Sequence, residues 1–138
     1  MYEEVIMKQK RLDPSWQWTR KYGFAPGIRT GDIIHTCGVV AYGLDGELVG
    51  IGDCYAQAKR VYEAIGEVLA IEGCCMADIV KTTTWLSDMS NYDGYARARA
   101  ETFPHGIPCS TTVESALVLP EFLIEIEAVA VIGSSAGE

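Results

Sequence analysis

The sharpest pattern lies in the last quarter of the chain. In VESALVLPEFLIEIEAVAVIG, residues 113–133, a run of apolar side chains is interrupted by two carboxylates two positions apart. Side chains at i and i+2 of a β-strand share a face. Leu123, Glu125, Glu127 and Val129 therefore predict one face of a strand, and Ile124, Ile126, Ala128 and Ala130 predict the other. The second face reads as core. The first either meets water or holds its charges against something specific, because carboxylates are seldom fully buried without a partner.

Patterns elsewhere predict the remaining elements. VIMKQKRL (5–12) reads as a first strand, and DPSWQWTRKYGFAPG (13–27), with two prolines and two glycines, as a long loop. DIIHTCGVVAY (32–42) reads as a strand, and GLDGELV (43–49) as an Asp45-Gly46 turn leading into a short strand. DCYAQAKRVYEAIGEVLAIEG (53–73) is the clearest helix. Asp53 caps it, Ala58, Val61, Tyr62, Ile65, Val68 and Leu69 recur at three-and-four spacing, and Gly73 ends it. Gly66 in its middle costs about 1 kcal/mol relative to Ala, which predicts a close approach there.

ADIVKTTTWLSDM (77–89) is β-branched and aromatic, hence a strand. SNYDGYARARAETF (90–103) opens with Ser90 and Asp93 at capping-box spacing and predicts a second helix. STTVESALVL (110–119) and FLIEIEAVAVI (122–132) predict two closing strands joined at Pro120. The order β-β-β-α-β-α-β-β predicts an α+β domain with a mixed sheet and both helices on one face. The opposite face, assigned Thr82, Thr84, Glu125 and Glu127 together with Leu123 and Val129, is left uncovered, and a homo-oligomer is the expected remedy.

Composition narrows the class. A chain of 138 residues predicts one domain, 1–138, large enough to bury about two-thirds of its unfolded surface. Residues 1–21 form its N-terminal strand and aromatic loop, and SSAGE (134–138) reads as a frayed tail. Half the residues are hydrophobic, which excludes a disordered class. No apolar run reaches membrane length and MYEEVIMKQKR is too charged for a signal peptide, so a cytoplasmic protein without a membrane partner is expected. A net charge of -8 argues against nucleic acid as a partner. The five cysteines, at 37, 54, 74, 75 and 109, contain no C-x-x-C pair and only two histidines accompany them. That is neither a disulfide framework nor a zinc pattern; the expectation is free thiols, no metal and no cofactor.

Four stretches, GDIIHTCG, GELVGIGDCYAQAKRVYEAIGEVL, ADIVKTTTWLSDMSNY and PEFLIEIEAVAV, together resemble the Rid family (reactive intermediate deaminases, also called YjgF-like or L-PSP proteins). The resemblance runs from about residue 22 to 132, and D-I-V-K-T-T with I-E-I-E-A-V-A are its most specific motifs. It implies a chorismate-mutase-like fold assembled as a homotrimer, with uncovered sheet faces around the threefold axis and ligand clefts between neighbouring subunits. It also implies hydrolysis of reactive enamines and imines to ketoacids and ammonia.

Carried over residue by residue, the resemblance is incomplete. Typical deaminating members grip a substrate carboxylate with an arginine in P-x-R-S-x-V. Here Pro108-Cys109-Ser110-Thr111-Thr112-Val113 places Ser110 at the arginine and Thr112 at the family's cysteine. The tyrosine of the early loop falls on Phe24, the serine of T-S-G on Cys37, and an asparagine of the second helix on Ala96. Gly38 and Glu125, the glutamate that positions the attacking water, remain. A serine lacks the paired planar donors of a guanidinium, and losing one charged hydrogen bond costs about 1.5–3 kcal/mol. The sequence therefore resembles the arginine-lacking subgroups and not the standard 2-imino-acid deaminases.

These residues define the candidate chemistry. Glu125 is the candidate catalytic base, in a cleft lined by Phe24, Cys37 and Gly38, where desolvation would raise its pKa. Ser110 and Thr112 are expected to offer hydroxyls to the same cleft, and Cys109 precedes them with His105 four residues earlier, the spacing of a conceivable nucleophile pair. Glu127 reads as structural, bonded between subunits, and Glu114 as either. Arg97 and Arg99, with Arg20, Lys21 and Arg29, are available to a substrate carboxylate or are plain surface charges. Trp16 and Trp18 read equally as a lid or as anchors of their loop. The expected function is a cofactor-independent hydrolase acting on a C=N, enamine or related bond of a small metabolite. The alternative is a non-catalytic trimer that binds a metabolite or modulates a partner, and a ribonuclease activity ranks third.

Overall fold

The computed structural model describes residues 8–135. Six strands form one sheet: β1 (Gln9–Leu12), β2 (Gly27–Thr30), β3 (Ile33–Thr36), β4 (Ile79–Leu86), β5 (Cys109–Glu114) and β6 (Ile124–Val131), in the order β1-β2-β3-β6-β4-β5. Only β4 and β5 run parallel; α3 (Tyr92–Thr102) crosses between them, as a parallel pair requires. The long helix α2 (Cys54–Ala70) packs beside α3 and on β6, and a short helix α1 (Gln17–Tyr22) precedes β2. The mixed α+β sheet expected from the hydrophobic pattern is present.

Alternation along β6 decides the two faces. Ile124, Ile126, Ala128 and Ala130 are buried under the helices with Val61, Ile65, Val68 and Leu69 of α2, while Glu125, Glu127, Val129 and Val131 face away. Asp53 caps α2 as expected, accepting the Ala56 N–H at 3.1 Å, and Gly73 follows in the left-handed region at φ 68°. The Asp45-Gly46 turn also forms, with Gly46 at φ 82° and a single bridge between Tyr42 and Leu48.

Several expectations are corrected. The segment read as a loop contains α1 and ends on the first residue of β2, and the expected short strand after the turn is only that one bridge. Of the expected first strand, residues 5–7 lie outside the described residues and Gln9–Leu12 is strand. Thr82 and Thr84 belong to the helix side, because their register partners are the core residues Ala128 and Ile126. The polar residues of β4 on the open face are instead Lys81 and Thr83, beside Trp85. Ser90 and Asp93 form no capping box; Asp88 accepts the Ser90 N–H at 2.8 Å and starts a 3-10 turn that runs into α3. Ser134 and Ser135, placed in the frayed tail, are pinned by hydrogen bonds to Asp78 of 3.4 Å and 2.7–2.9 Å, and 136–138 lie outside the described residues. No close approach explains Gly66: a methyl there would meet only the Met76 sulfur, at an ordinary 3.6 Å.

Candidate active site

The expected strand 32–42 breaks at Thr36, and that break builds the site. His35 pairs with Val129 while Val39 pairs with Ile126, so Thr36, Cys37 and Gly38 lie opposite only Glu127 and Ala128. The extra residue is a bulge, a feature that re-aims neighbouring groups. Thr36 repairs the ladder with its side chain, its Oγ1 accepting the Ala128 N–H at 3.0 Å. Cys37 N–H turns to the Pro26 carbonyl at 2.8 Å. Gly38 is thereby brought against Glu125, so closely that a Cβ at this position would overlap the carboxylate. Any larger residue here would push the Glu125 carboxylate aside.

Glu125 is half-buried and, among the described residues, has no hydrogen-bond or ion-pair partner. Burial pushes its pKa above the ordinary 4.5, and Glu127 two residues away adds to the shift. The Cys37 thiol is pushed up to about 12, first by burial and then by the Glu125 charge, which leaves it neutral and a poor nucleophile.

Beside Glu125 opens a small cavity of about 80 Å³, continuous with solvent. Four rings line it, Trp18, Tyr22, Tyr42 and Phe122, with Val40, Val118, Leu119 and the Glu125 carboxylate. The rings also pack on one another. Trp18 lies 5.6 Å from Tyr42 and 5.7 Å from Phe24, and Tyr42 meets Phe122 edge-on at 5.7 Å. Phe24 thus supports the wall through Trp18 without lining the cavity. The two tryptophans divide the roles left open by the sequence. Trp16 is the anchor, 6% exposed, donating through Nε1 to Glu67 at 3.0 Å. Trp18 stacks on it at 5.8 Å and faces the cavity.

Two buried polar side chains of α2 hold this wall. Arg60 donates to the Tyr42 carbonyl at 2.8 Å and pairs with Glu67 at 2.6 Å, linking the Tyr42 segment to the partner of Trp16. Gln57 donates to the Gly50 and Glu121 carbonyls and accepts the Leu123 N–H at 3.0 Å, fixing the segment that carries Phe122. Neither was a candidate in the sequence; the interruption of the apolar stripe of α2 by Gln57 and Arg60 was the available signal.

The other candidates do not join Glu125 within one chain. Ser110 and Thr112 point to the helix side, where the buried Tyr95 hydroxyl gathers Thr84 and Thr112 at 3.2 Å, Ser110 at 3.5 Å and Arg99 at 3.4 Å. Burial opposes ionisation of Tyr95, but the bonds from Ser110, Thr112, Thr84 and Arg99 outweigh it and lower its pKa. Arg97 stacks over the Tyr55 ring at 3.7 Å. Cys109 is exposed on the open face, and no hydrogen bond joins it to His105 among the described residues, so the nucleophile pair is not formed. Glu114 accepts the Met89 N–H at 2.8 Å. One chain carries two separate clusters, an acidic aromatic one on β6 and a hydroxyl-rich one between β5 and α3.

Residues 19–132 match the family described as Endoribonuclease L-PSP. The chain belongs to that family. Solved structures agree. A Mycobacterium tuberculosis protein of the YjgF/YER057c/UK114 family superposes with TM-score 0.78 at 25% identity, over 91% of this chain and 100% of that one. Yersinia pestis YyfA, of the Rid protein family, gives TM-score 0.80 at 26% identity over the same shares. Escherichia coli TdcF, solved with bound serine, has the same fold, with TM-score 0.72 at 23% identity over 78% of this chain and 87% of that one. Within this L-PSP chain, the bulge at Cys37–Gly38 and the glutamate of β6 are joined, and the segment with Ser110 stands apart from them.

Proposed function

We propose that this L-PSP-family protein is a cofactor-independent hydrolase of C=N bonds, working as a homotrimer in the cytoplasm. The observation that carries the reading is Glu125: a half-buried carboxylate without a partner, pressed on Gly38 and open to an aromatic cavity. Groups with perturbed pKa values in a concave apolar site are candidates for acid–base work.

In this reading a protonated imine lies with its carbon facing the Glu125 carboxylate. Glu125 takes a proton from a water molecule as the water oxygen bonds to that carbon and the C=N double bond becomes single. The proton then passes to nitrogen. The C–N bond breaks, the nitrogen leaves as ammonia, and the remaining oxygen forms a carbonyl as its own proton is released. The sum is iminium plus water to carbonyl plus ammonium. Desolvation strengthens the base, and the absent side chain at Gly38 leaves room for the Glu125 carboxylate. A neighbouring copy would bring its hydroxyl-rich half-site, with Ser110 and Thr112, to the open side of this cavity, covering the exposed sheet face. Free thiols at all five cysteines fit a reducing compartment. The net charge of -8 gives no support to a ribonuclease reading.

Imines generated in situ by amine and amino-acid oxidases, trapped with semicarbazide, test the proposal. The protein should lower the semicarbazone yield and speed ammonia release for at least one class of amine. Yields unchanged across arylalkyl, aliphatic and acidic substrates would leave the non-catalytic binding trimer as the better account.

A further inference from the structure

The cavity beside Glu125 combines a carboxylate with an aromatic wall. Its lining contains a carboxylate, four aromatic rings and no Lys or Arg. Within one chain, a substrate carboxylate placed there would meet Glu125 with no Lys or Arg among the lining residues. Lys21 lines a neighbouring groove, with Nζ 5.7 Å from the centroid of the Tyr22 ring.

Ring faces carry negative charge density and attract cations, most strongly when water is excluded. Trp18 and Tyr42 present faces inclined at 35° to each other, and Phe122 closes on Tyr42 at 87°. The rings are held in place before any ligand arrives: Trp16 fastens Trp18 by stacking, and Arg60 and Gln57 fix the Tyr42 and Phe122 segments. Preorganised walls cost little to order on binding. The Glu125 charge has no partner among the described residues, and the acidic molecule as a whole draws cations toward it. Core packing accounts for Trp16, which is 6% exposed, but not for Tyr22, 60% exposed on the rim of the cavity.

We propose that this cavity selects a positively charged nitrogen, an ammonium or protonated imine carried on a small apolar or aromatic group, and rejects carboxylates. The inference rests on the assignment of Glu125 as the centre of the site and extends it by naming the substrate class. The cavity of one chain encloses about 80 Å³, below the roughly 300–1,000 Å³ usual for small-molecule sites, so a ligand seated on these rings extends over the open side of the cavity.

Calorimetric titration with benzylamine, benzyl alcohol and benzoate at pH 7.5 tests it, since the three differ mainly in charge. Benzylamine should bind at least about tenfold more tightly than benzyl alcohol, and benzoate most weakly. Glu125→Gln should bring benzylamine down toward the alcohol and leave the alcohol unchanged, while Trp18→Leu weakens both. Equal affinity for amine and alcohol, tighter binding of benzoate, or binding by none of the three at millimolar concentration overturns the proposal. The imine assay on the same preparations separates the two claims. Glu125-dependent hydrolysis with a preference for benzoate removes the cation site and keeps the catalysis. Amine selectivity without hydrolysis removes the catalysis and keeps the site.

Discussion

Glu125 gains its chemistry from two neighbours a single residue type apart. At position 38 any side chain would displace the carboxylate, so Gly38→Ala tests placement without touching the acid itself. A misplacement near 1 Å costs about a hundredfold, and Gly38→Ala should lower kcat by that order with the oligomer intact. The carboxylate itself leaves a mark on stability. Its folded pKa is raised, by burial first, above the 4.5 of an exposed glutamate. The folded state therefore holds its proton to higher pH than the unfolded chain, and stability falls as pH rises from about 4.5 through the raised value. Glu125→Gln removes that loss, so thermal melts should show the variant gaining on wild type above that window and matching it below. Glu125 and Gly38 were legible in the sequence because strand alternation and two short motifs are local signals. Tyr42 and Phe122 were not, since only the fold brings residues 80 apart in sequence together.

At the scale of elements, the strongly periodic pieces were readable and the short ones were not. α2 has seventeen residues, a capping aspartate and an apolar stripe, and it appears where the pattern placed it. α1 has six residues between Pro14 and Gly23, too few for its period to stand out, and its anchoring comes from Trp16 reaching Glu67. Thr82 and Thr84 were assigned to the wrong face because the register of β4 on β6 shifts between Ile79 and Lys81. Two substitutions follow from this geometry. Gly66→Ala has only the Met76 sulfur at 3.6 Å to accommodate, and it should stabilise the protein by about 1 kcal/mol in denaturant titrations. Tyr95→Phe removes the hydroxyl that Thr84, Thr112, Ser110 and Arg99 share. It should cost about 1–3 kcal/mol by the same measurement, because the buried Thr84 hydroxyl loses its partner.

The whole molecule leaves one sheet face without helices. Lys81, Thr83 and Trp85 of β4, the exposed Val113 of β5 and Glu127 of β6 lie along it. Helix-free sheet faces with apolar content call for a covering surface, and the same packing would bring the two half-sites of different chains together. Size-exclusion chromatography with light scattering should give about three times the 15.1 kDa chain mass, and a monomer at micromolar concentration would remove the shared cleft. The most direct measurement of the central claim is ammonia release from an oxidase-generated imine, comparing wild type with Glu125→Gln of equal scattering mass. The account predicts catalysis that falls by at least about a hundredfold in the variant, the scale of general acid–base catalysis. A variant that hydrolyses the imine at the wild-type rate would contradict it.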